Sequence, residues 1–213
     1  MIITYQGGAF FKVQFGDITL AVNPVSKDSK KFKASRFGAD VALVSANDPD
    51  MNGVDQVSFG EKQAFIAQGP GEYEVKDVFI KGFKSETKYG MPDDESRINT
   101  IYTVSLEGMN LCFLGALSTK ELPSEVAESI DDIDILFVPI GAPGTLLPAD
   151  AAKLAVKLEP KLVIPVYFGD NAALKAFLKE SGEEAQKSQD KLTIKKKDLE
   201  GKEGDVMVLE AQA

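Results

Sequence analysis

The fold of this chain is decided by residues 39–55, which read ADVALVSANDPDMNGVD. The apolar run 41–44 is predicted to be a strand buried on both faces, as is typical of a central strand. It leads directly into a short polar loop, residues 45–52, which carries Asp48 and Asp50 on either side of a proline. Because ligands commonly bind beyond the carboxyl ends of buried strands, this loop is the candidate site.

The overall composition indicates one soluble globular domain, residues 1–213. Its 44% hydrophobic and 27% charged residues are typical of a chain with a full core. The net charge of −9 argues against nucleic acid and against an anionic membrane as partners. The first residues contain neither a basic segment nor a long apolar stretch, so we expect a cytoplasmic protein.

The chain contains one cysteine and no histidine. Cys112 lies within an apolar run and is predicted to be a buried, unreactive thiol. A single cysteine excludes an internal disulfide and a cysteine-based zinc cluster. The lack of histidine excludes a Cys–His pair and a serine triad with a histidine base.

The predicted elements change character near the middle of the chain. The first half is rich in strands, and the second half alternates strands with helices, so two mixed sheets with helices on their outer faces are expected. The polar residues 83–97 are predicted to be a functional or mobile loop. Strands are predicted at residues 2–5, 10–15, 18–22, 41–44, 64–67, 72–75, 78–81, 100–106, 109–114, 135–140, 162–166, 192–194 and 206–209, and helices at 121–130, 149–158 and 171–181.

Several short motifs occur in an order that resembles the metallo-β-lactamase superfamily. Within it, the chain is similar to small bacterial metal-dependent hydrolases related to L-ascorbate-6-phosphate lactonase. The resemblance implies a four-layer αββα sandwich of two mixed sheets flanked by helices. The motifs are TYQGGAFFK at residues 4–12, FGD at 15–17, NP at 23–24, the loop 45–52, GPGEYEV at 69–75, RINTIY at 97–102, LG at 114–115 and VIP at 163–165.

The resemblance also implies a dinuclear metal centre built from histidines and aspartates, and here the matching positions hold other residues except for the aspartate at Asp50. They form a predicted vestigial pocket with no catalytic residue and no expected cofactor. Apolar side chains such as Met51 and Phe113 would fill the former metal cavity. The pocket residues are Asn23, Ala46, Asp48, Asp50, Met51, Thr87, Phe113, Ala116 and Tyr167.

Two interpretations of Asp48 and Asp50 remain open at this point. They are weak candidates for a magnesium or manganese site, since hard cations prefer oxygen ligands. Alternatively, they cap the turn that follows, as Asx residues beside proline often do.

Two functions follow from these interpretations. The first is an inactive pseudo-hydrolase with a binding, scaffold or assembly role, acting as a homo-oligomer or with a protein partner. The alternative is a divergent hydrolase of a lactone or phosphoester, which would use a carboxylate-only magnesium or manganese site with residues 83–97 as a lid.

Overall fold

The first sheet has six strands and is built mainly from the N-terminal third of the chain. A computed structural model describes residues 1–93 and 95–212. In this sheet the strands follow the order β12-β1-β2-β3-β4-β5, with β3, β4 and β5 parallel and the remaining pairs antiparallel. The strands are β1 (Ile2–Gly7), β2 (Phe10–Phe15), β3 (Ile18–Val22), β4 (Val41–Val44), β5 (Phe65–Gln68) and, from the C-terminal part, β12 (Leu192–Thr193).

The second sheet has seven strands in the order β13-β11-β10-β9-β8-β7-β6. The pairs β6–β7, β7–β8 and β8–β9 are antiparallel, whereas the pairs β9–β10, β10–β11 and β11–β13 are parallel. The strands are β6 (Gly71–Val75), β7 (Val78–Thr87), β8 (Arg97–Leu106), β9 (Met109–Phe113), β10 (Ile135–Pro139), β11 (Leu162–Val166) and β13 (Asp205–Val206).

Three α-helices lie in the second half of the described chain: α1 (Ser124–Ser129), α2 (Pro148–Leu158) and α3 (Asn171–Glu180). Helix α2 begins at a proline, which suits the first turn of a helix because the N–H group there has no partner within the helix. Helix α3 is capped by the Asp170 carboxylate, which accepts hydrogen bonds from two main-chain N–H groups. Short 3-10 helices span Val54–Gln56 and Lys196–Leu199.

The core lies between the two sheets, where alternate side chains of each strand meet. Cys112 is buried as predicted, and burial raises the pKa of its thiol to about 12. A smaller cluster covers the outer face of the first sheet, where Phe10, Ala21 and Ala42 contact irregular segments rather than a long helix. The predicted architecture of two mixed sheets with flanking helices is therefore confirmed.

The prediction of a loop over residues 83–97 was wrong at both ends of this range. Residues 83–87 extend β7 and Arg97 begins β8, and the two strands pair antiparallel from Phe79 opposite Ser105 to Thr87 opposite Arg97. Only residues 88–96 connect the two strands. Small polar side chains such as Ser85 are buried while charged ones are exposed, so this part of β7 lacks the apolar alternation by which a strand is identified in a sequence. The lid proposed for residues 83–97 is therefore reduced to the connection between β7 and β8.

None of the helices in the described part of the chain has both the length and the apolar content that a membrane crossing requires.

Candidate functional site

The loop that follows β4 is held by hydrogen bonds of its own carboxylate. One oxygen of Asp48, Oδ1, accepts the main-chain N–H of Asp50 at 3.0 Å, and the Asp48 carbonyl accepts the N–H of Met51 at 2.8 Å. This arrangement is an Asx turn, in which a side-chain oxygen replaces a main-chain acceptor. The turn-capping interpretation is therefore the one that the geometry of Asp48 matches.

The second oxygen of Asp48 faces an arginine from the start of β8. Arg97 Nη2 lies 3.2 Å from Asp48 Oδ2, and both side chains are largely buried. The same guanidinium donates to the carbonyls of Asn47 at 2.6 Å and Gly90 at 3.1 Å, and its Nε donates to the sulfur of Met91. Arg97 thus neutralises Asp48 and ties the loop after β4 to the β7–β8 connection.

Asp50 is buried and both of its oxygens have partners. Ser29 Oγ donates to Oδ1 at 2.6 Å, and the hydroxyl of Tyr89 donates to Oδ2 at 2.6 Å. The half-exposed Lys31 places Nζ 3.6 Å from Oδ2 and 4.3 Å from the centre of the Tyr89 ring. Burial first, and then the Asp50 carboxylate, raise the pKa of the Tyr89 hydroxyl above its ordinary value, so it is a hydrogen-bond donor at neutral pH.

Aromatic rings fill the space on the other side of Tyr89. The ring of Phe168 lies 5.2 Å from that of Tyr89 and 6.4 Å from that of Phe32. Tyr167, the residue that follows β11, has its ring 5.3 Å from that of Tyr5, whose hydroxyl donates to the Gly8 carbonyl. Because Phe168, Tyr89 and Asp50 form a chain of contacts, the ends of β4, β7 and β11 converge here.

Polar contacts join the ends of β4, β8 and β9. The side-chain oxygen of Asn23 accepts the N–H of Ser45 at 2.8 Å, and the Ser45 carbonyl accepts the N–H of Thr100. The side-chain oxygen of Asn99 accepts the N–H of Ala116 at 2.9 Å. Asn23 and Ala116 therefore lie beside the loop, where the Asn23 side-chain oxygen and the Ala116 N–H support main-chain geometry.

The remaining predicted pocket residues contribute little polar chemistry. Ala46 and Met51 belong to the loop and are buried in the main core, and Phe113 stacks on Phe137 at 4.2 Å between the sheets. The Thr87 hydroxyl oxygen accepts the N–H of Tyr89 at 2.9 Å. The Tyr167 hydroxyl donates to the Leu209 carbonyl at 3.3 Å.

These residues do not fit the metal centre that the resemblance implies. All four carboxylate oxygens of Asp48 and Asp50 already accept hydrogen bonds or an ion pair from the chain itself. Zinc prefers nitrogen and sulfur ligands, and magnesium or calcium needs several oxygens from carboxylates, carbonyls or water. Within residues 1–93 and 95–212, no three side chains of His, Cys, Asp or Glu are grouped so that they could hold a metal ion. We therefore derive no reaction step through a metal.

The sequence did not predict the residues that contact the carboxylates of Asp48 and Asp50. These are Ser29, Lys31, Tyr89 and Arg97. Tyr89 lies 39 residues from Asp50, and Arg97 lies 50 residues from Asn47. Arg97 was noticed as the first residue of RINTIY, but only as part of a motif. No local spacing rule identifies partners that long-range strand pairing brings together.

Comparison with known proteins shows which sequences are similar to this chain. A family model described as "Beta-lactamase superfamily domain" matches residues 2–167. A UPF0173 metal-dependent hydrolase of Listeria innocua is 24% identical over 196 residues, covering 79% of this chain and 85% of the relative. One from Anoxybacillus flavithermus is 25% identical over 195 residues, covering 79% and 86%.

Solved structures also share the fold. A Thermotoga maritima protein assigned to the metallo-beta-lactamase superfamily as a Zn-dependent hydrolase superposes with a TM-score of 0.73 and 25% identity, covering 98% of this chain and 97% of that one. The metallo hydrolase Igni18 of Ignicoccus hospitalis gives a TM-score of 0.63 at 16% identity, covering 99% and 95%.

Proposed function

The chain belongs to the beta-lactamase superfamily, and we propose that it is a member without metal-dependent hydrolysis that serves in binding, as a scaffold or in assembly. Its relatives are named metal-dependent hydrolases, so the proposal separates this chain from the activity in their names.

One observation carries the proposal: the chain itself occupies both carboxylates of the candidate site. Arg97 neutralises Asp48, while Ser29, Tyr89 and Lys31 surround Asp50. A hydrogen bond to a charged group contributes about 1.5–3 kcal/mol. A metal ion would have to displace several of these hydrogen bonds. The loss of each bond would lower the affinity of the site for the metal roughly ten- to hundredfold.

The groups that could activate a nucleophile without a metal are either missing or unsuited to that role, which also supports the proposal. The chain has no histidine to act as a base. Its one thiol, Cys112, is buried and has a pKa of about 12, so the nucleophilic thiolate is scarce at neutral pH. The Tyr89 hydroxyl keeps its proton and donates it in a hydrogen bond to Asp50.

The test is the metal content of protein purified without chelators, measured by inductively coupled plasma mass spectrometry. We expect far less than one zinc, iron or manganese ion per chain, and an unchanged melting temperature when these ions or magnesium are added. Two variants are compared: Asp48→Asn changes the site, and Asp190→Asn on the surface is the control. Stoichiometric metal that is lost in Asp48→Asn and kept in Asp190→Asn would overturn the proposal.

A second candidate function is a divergent hydrolase that uses Asp48 and Asp50 on a lactone or phosphoester. It is favoured by the names of the relatives and by the presence of two carboxylates at this position. The measurement is hydrolysis of a lactone and phosphoester panel with added magnesium or manganese. Turnover that falls at least about tenfold in Asp50→Ala would support this function, whereas equal background rates in both proteins would count against it.

A further inference from the structure

Strand β5 is the open edge of the first sheet. Among the described strands it has a neighbour, β4, on one side only. Phe65 donates its N–H to the Asp40 carbonyl on the β4 side, so by alternation the main-chain groups of Ile66 and Gln68 face away from the sheet. Open main-chain groups of this kind form a template for another strand.

Large apolar side chains surround this edge. Phe65 is 41% exposed, Ile66 is 43% exposed and the nearby Phe59 is 51% exposed. These three lie within ten consecutive residues, 59–68, which we call the β5 strip. The ring of Phe65 rests on Tyr73 of β6, with 5.9 Å between ring centres, so the apolar surface continues onto the second sheet. Such a cluster on a soluble protein marks an interaction site.

The other sheet edges carry protection that the β5 strip lacks. Strands β12 and β13 are each two residues long, and three lysines, residues 195–197, follow β12 closely. Strand β6 exposes Glu72 and Glu74. Short edges and charged side chains discourage pairing with another chain. The four residues of β5, by contrast, contain no charge and no proline.

We propose that β5 pairs antiparallel with β5 of a second copy of this chain across a two-fold axis, joining two six-stranded sheets into one. A two-fold interface needs only one patch used twice, which the strip provides. The ten residues of the strip contain one glutamate and one lysine, so the strip is neutral in a chain whose net charge is −9. Two copies meet here without the repulsion that the rest of the surface imposes, whereas a basic partner would favour the acidic surface elsewhere.

The pairing goes beyond the proposed loss of hydrolysis and does not depend on it. The strip is on the far side of β4 from β3, and the contacts of Asp48 and Asp50 involve none of its residues. A catalytic protein could dimerise in the same way. The two proposals therefore fail or succeed separately.

The test compares two matched substitutions by light scattering over a roughly hundredfold range of concentration, since dimerisation follows mass action. Ile66→Lys places a charge on the open edge. Ile98→Lys is the control, because Ile98 is 54% exposed on β8, which has neighbours on both sides. We expect wild type and Ile98→Lys to reach twice the chain mass of 23.0 kDa, and Ile66→Lys to weaken the dimer at least about tenfold.

Hydrogen exchange on the wild-type protein provides a second readout that needs no variant. We expect the amides of residues 64–68 to exchange more slowly at high than at low concentration, because pairing covers them. A wild type that stays monomeric over the whole range overturns the proposal. So does a dimer that is equally strong in both lysine variants and leaves residues 64–68 unprotected. If Ile66→Lys does not fold, as judged by circular dichroism, the exchange result alone decides.

Discussion

Arg97 Nη2 lies 3.2 Å from Asp48 Oδ2, so a fixed positive charge of the chain faces the carboxylate of the candidate site. Lys31 has a similar relation to Asp50, at 3.6 Å. The resemblance to metal-dependent hydrolases implies metal cations beside these carboxylates, and here the chain supplies cations of its own. Removing such a cation tests how much the loop after β4 depends on it.

Replacing Arg97 by alanine should destabilise the protein by about 1.5–3 kcal/mol, because Asp48 loses its charged partner in a largely buried setting. Arg97→Lys should lose less, since it keeps the charge but cannot reach all of the acceptors that the planar guanidinium contacts. The measurement is the free energy of unfolding in urea. Equal stability of Arg97→Ala and wild type would show that the ion pair contributes nothing.

Removing the hydroxyl of Tyr89 should leave one oxygen of the buried Asp50 without its main donor. We expect Tyr89→Phe to cost about 1.5–3 kcal/mol of unfolding free energy, as for a hydrogen bond to a charged acceptor. Tyr73→Phe is the matched control, because its hydroxyl donates to the neutral Gly69 carbonyl at 3.0 Å in a half-exposed setting. That variant should lose about 0.5–1 kcal/mol. Equal losses in the two variants would contradict the role given to Asp50.

Asp40 makes stability depend on pH at the acid end. Burial alone would raise the pKa of this carboxyl, but hydrogen bonds from Lys62, Lys76 and the Thr19 N–H outweigh it and lower the pKa to about 2. An unfolded aspartate has a pKa of about 3.9. The folded value is lower, so the contribution of Asp40 is complete above about pH 4 and is lost as the pH falls towards 2.

The variant Asp40→Asn isolates this contribution. At pH 7 wild type should exceed it by roughly 1–2 kcal/mol, allowing for solvent screening at the exposed lysine ends. The gap should narrow steadily between about pH 4 and pH 2. The exposed Asp190→Asn serves as the control and should follow wild type at every pH. A gap that stays constant down to pH 2 would contradict the assigned pKa.

Sequence patterns predicted the parts of the fold in which local order and burial coincide. The runs at β4 and β11 are apolar throughout, so each was identified as a buried strand. The second half of β7 was missed because Ser85 and Thr87 are polar yet buried. There, tertiary pairing with β8 stabilises a strand that its own side chains do not identify.

The candidate site divides in the same way. Asp48 forms its Asx turn with residues two and three positions away, which local rules describe. Its ion pair with Arg97 and the contact between Asp50 and Tyr89 exist only because β4, β7 and β8 bring distant segments together. Local sequence rules therefore predicted the loop, whereas the partners of its two carboxylates were identified only from the structure.

Gly90 tests whether the Asp48–Arg97 pair needs the space beside it. A Cβ at Gly90 would lie 2.7 Å from Asp48 Oδ2, and φ is +66°. Gly16 also has a positive φ, +54°, but open space around it, so Gly16→Ala should lose only the left-handed strain, about 1 kcal/mol. Gly90→Ala should lose about 1–2 kcal/mol more in urea unfolding, because the pair must separate. That excess should shrink when Arg97→Ala is already present, since coupled sites are not additive; equal losses at the two glycines would refute the contact.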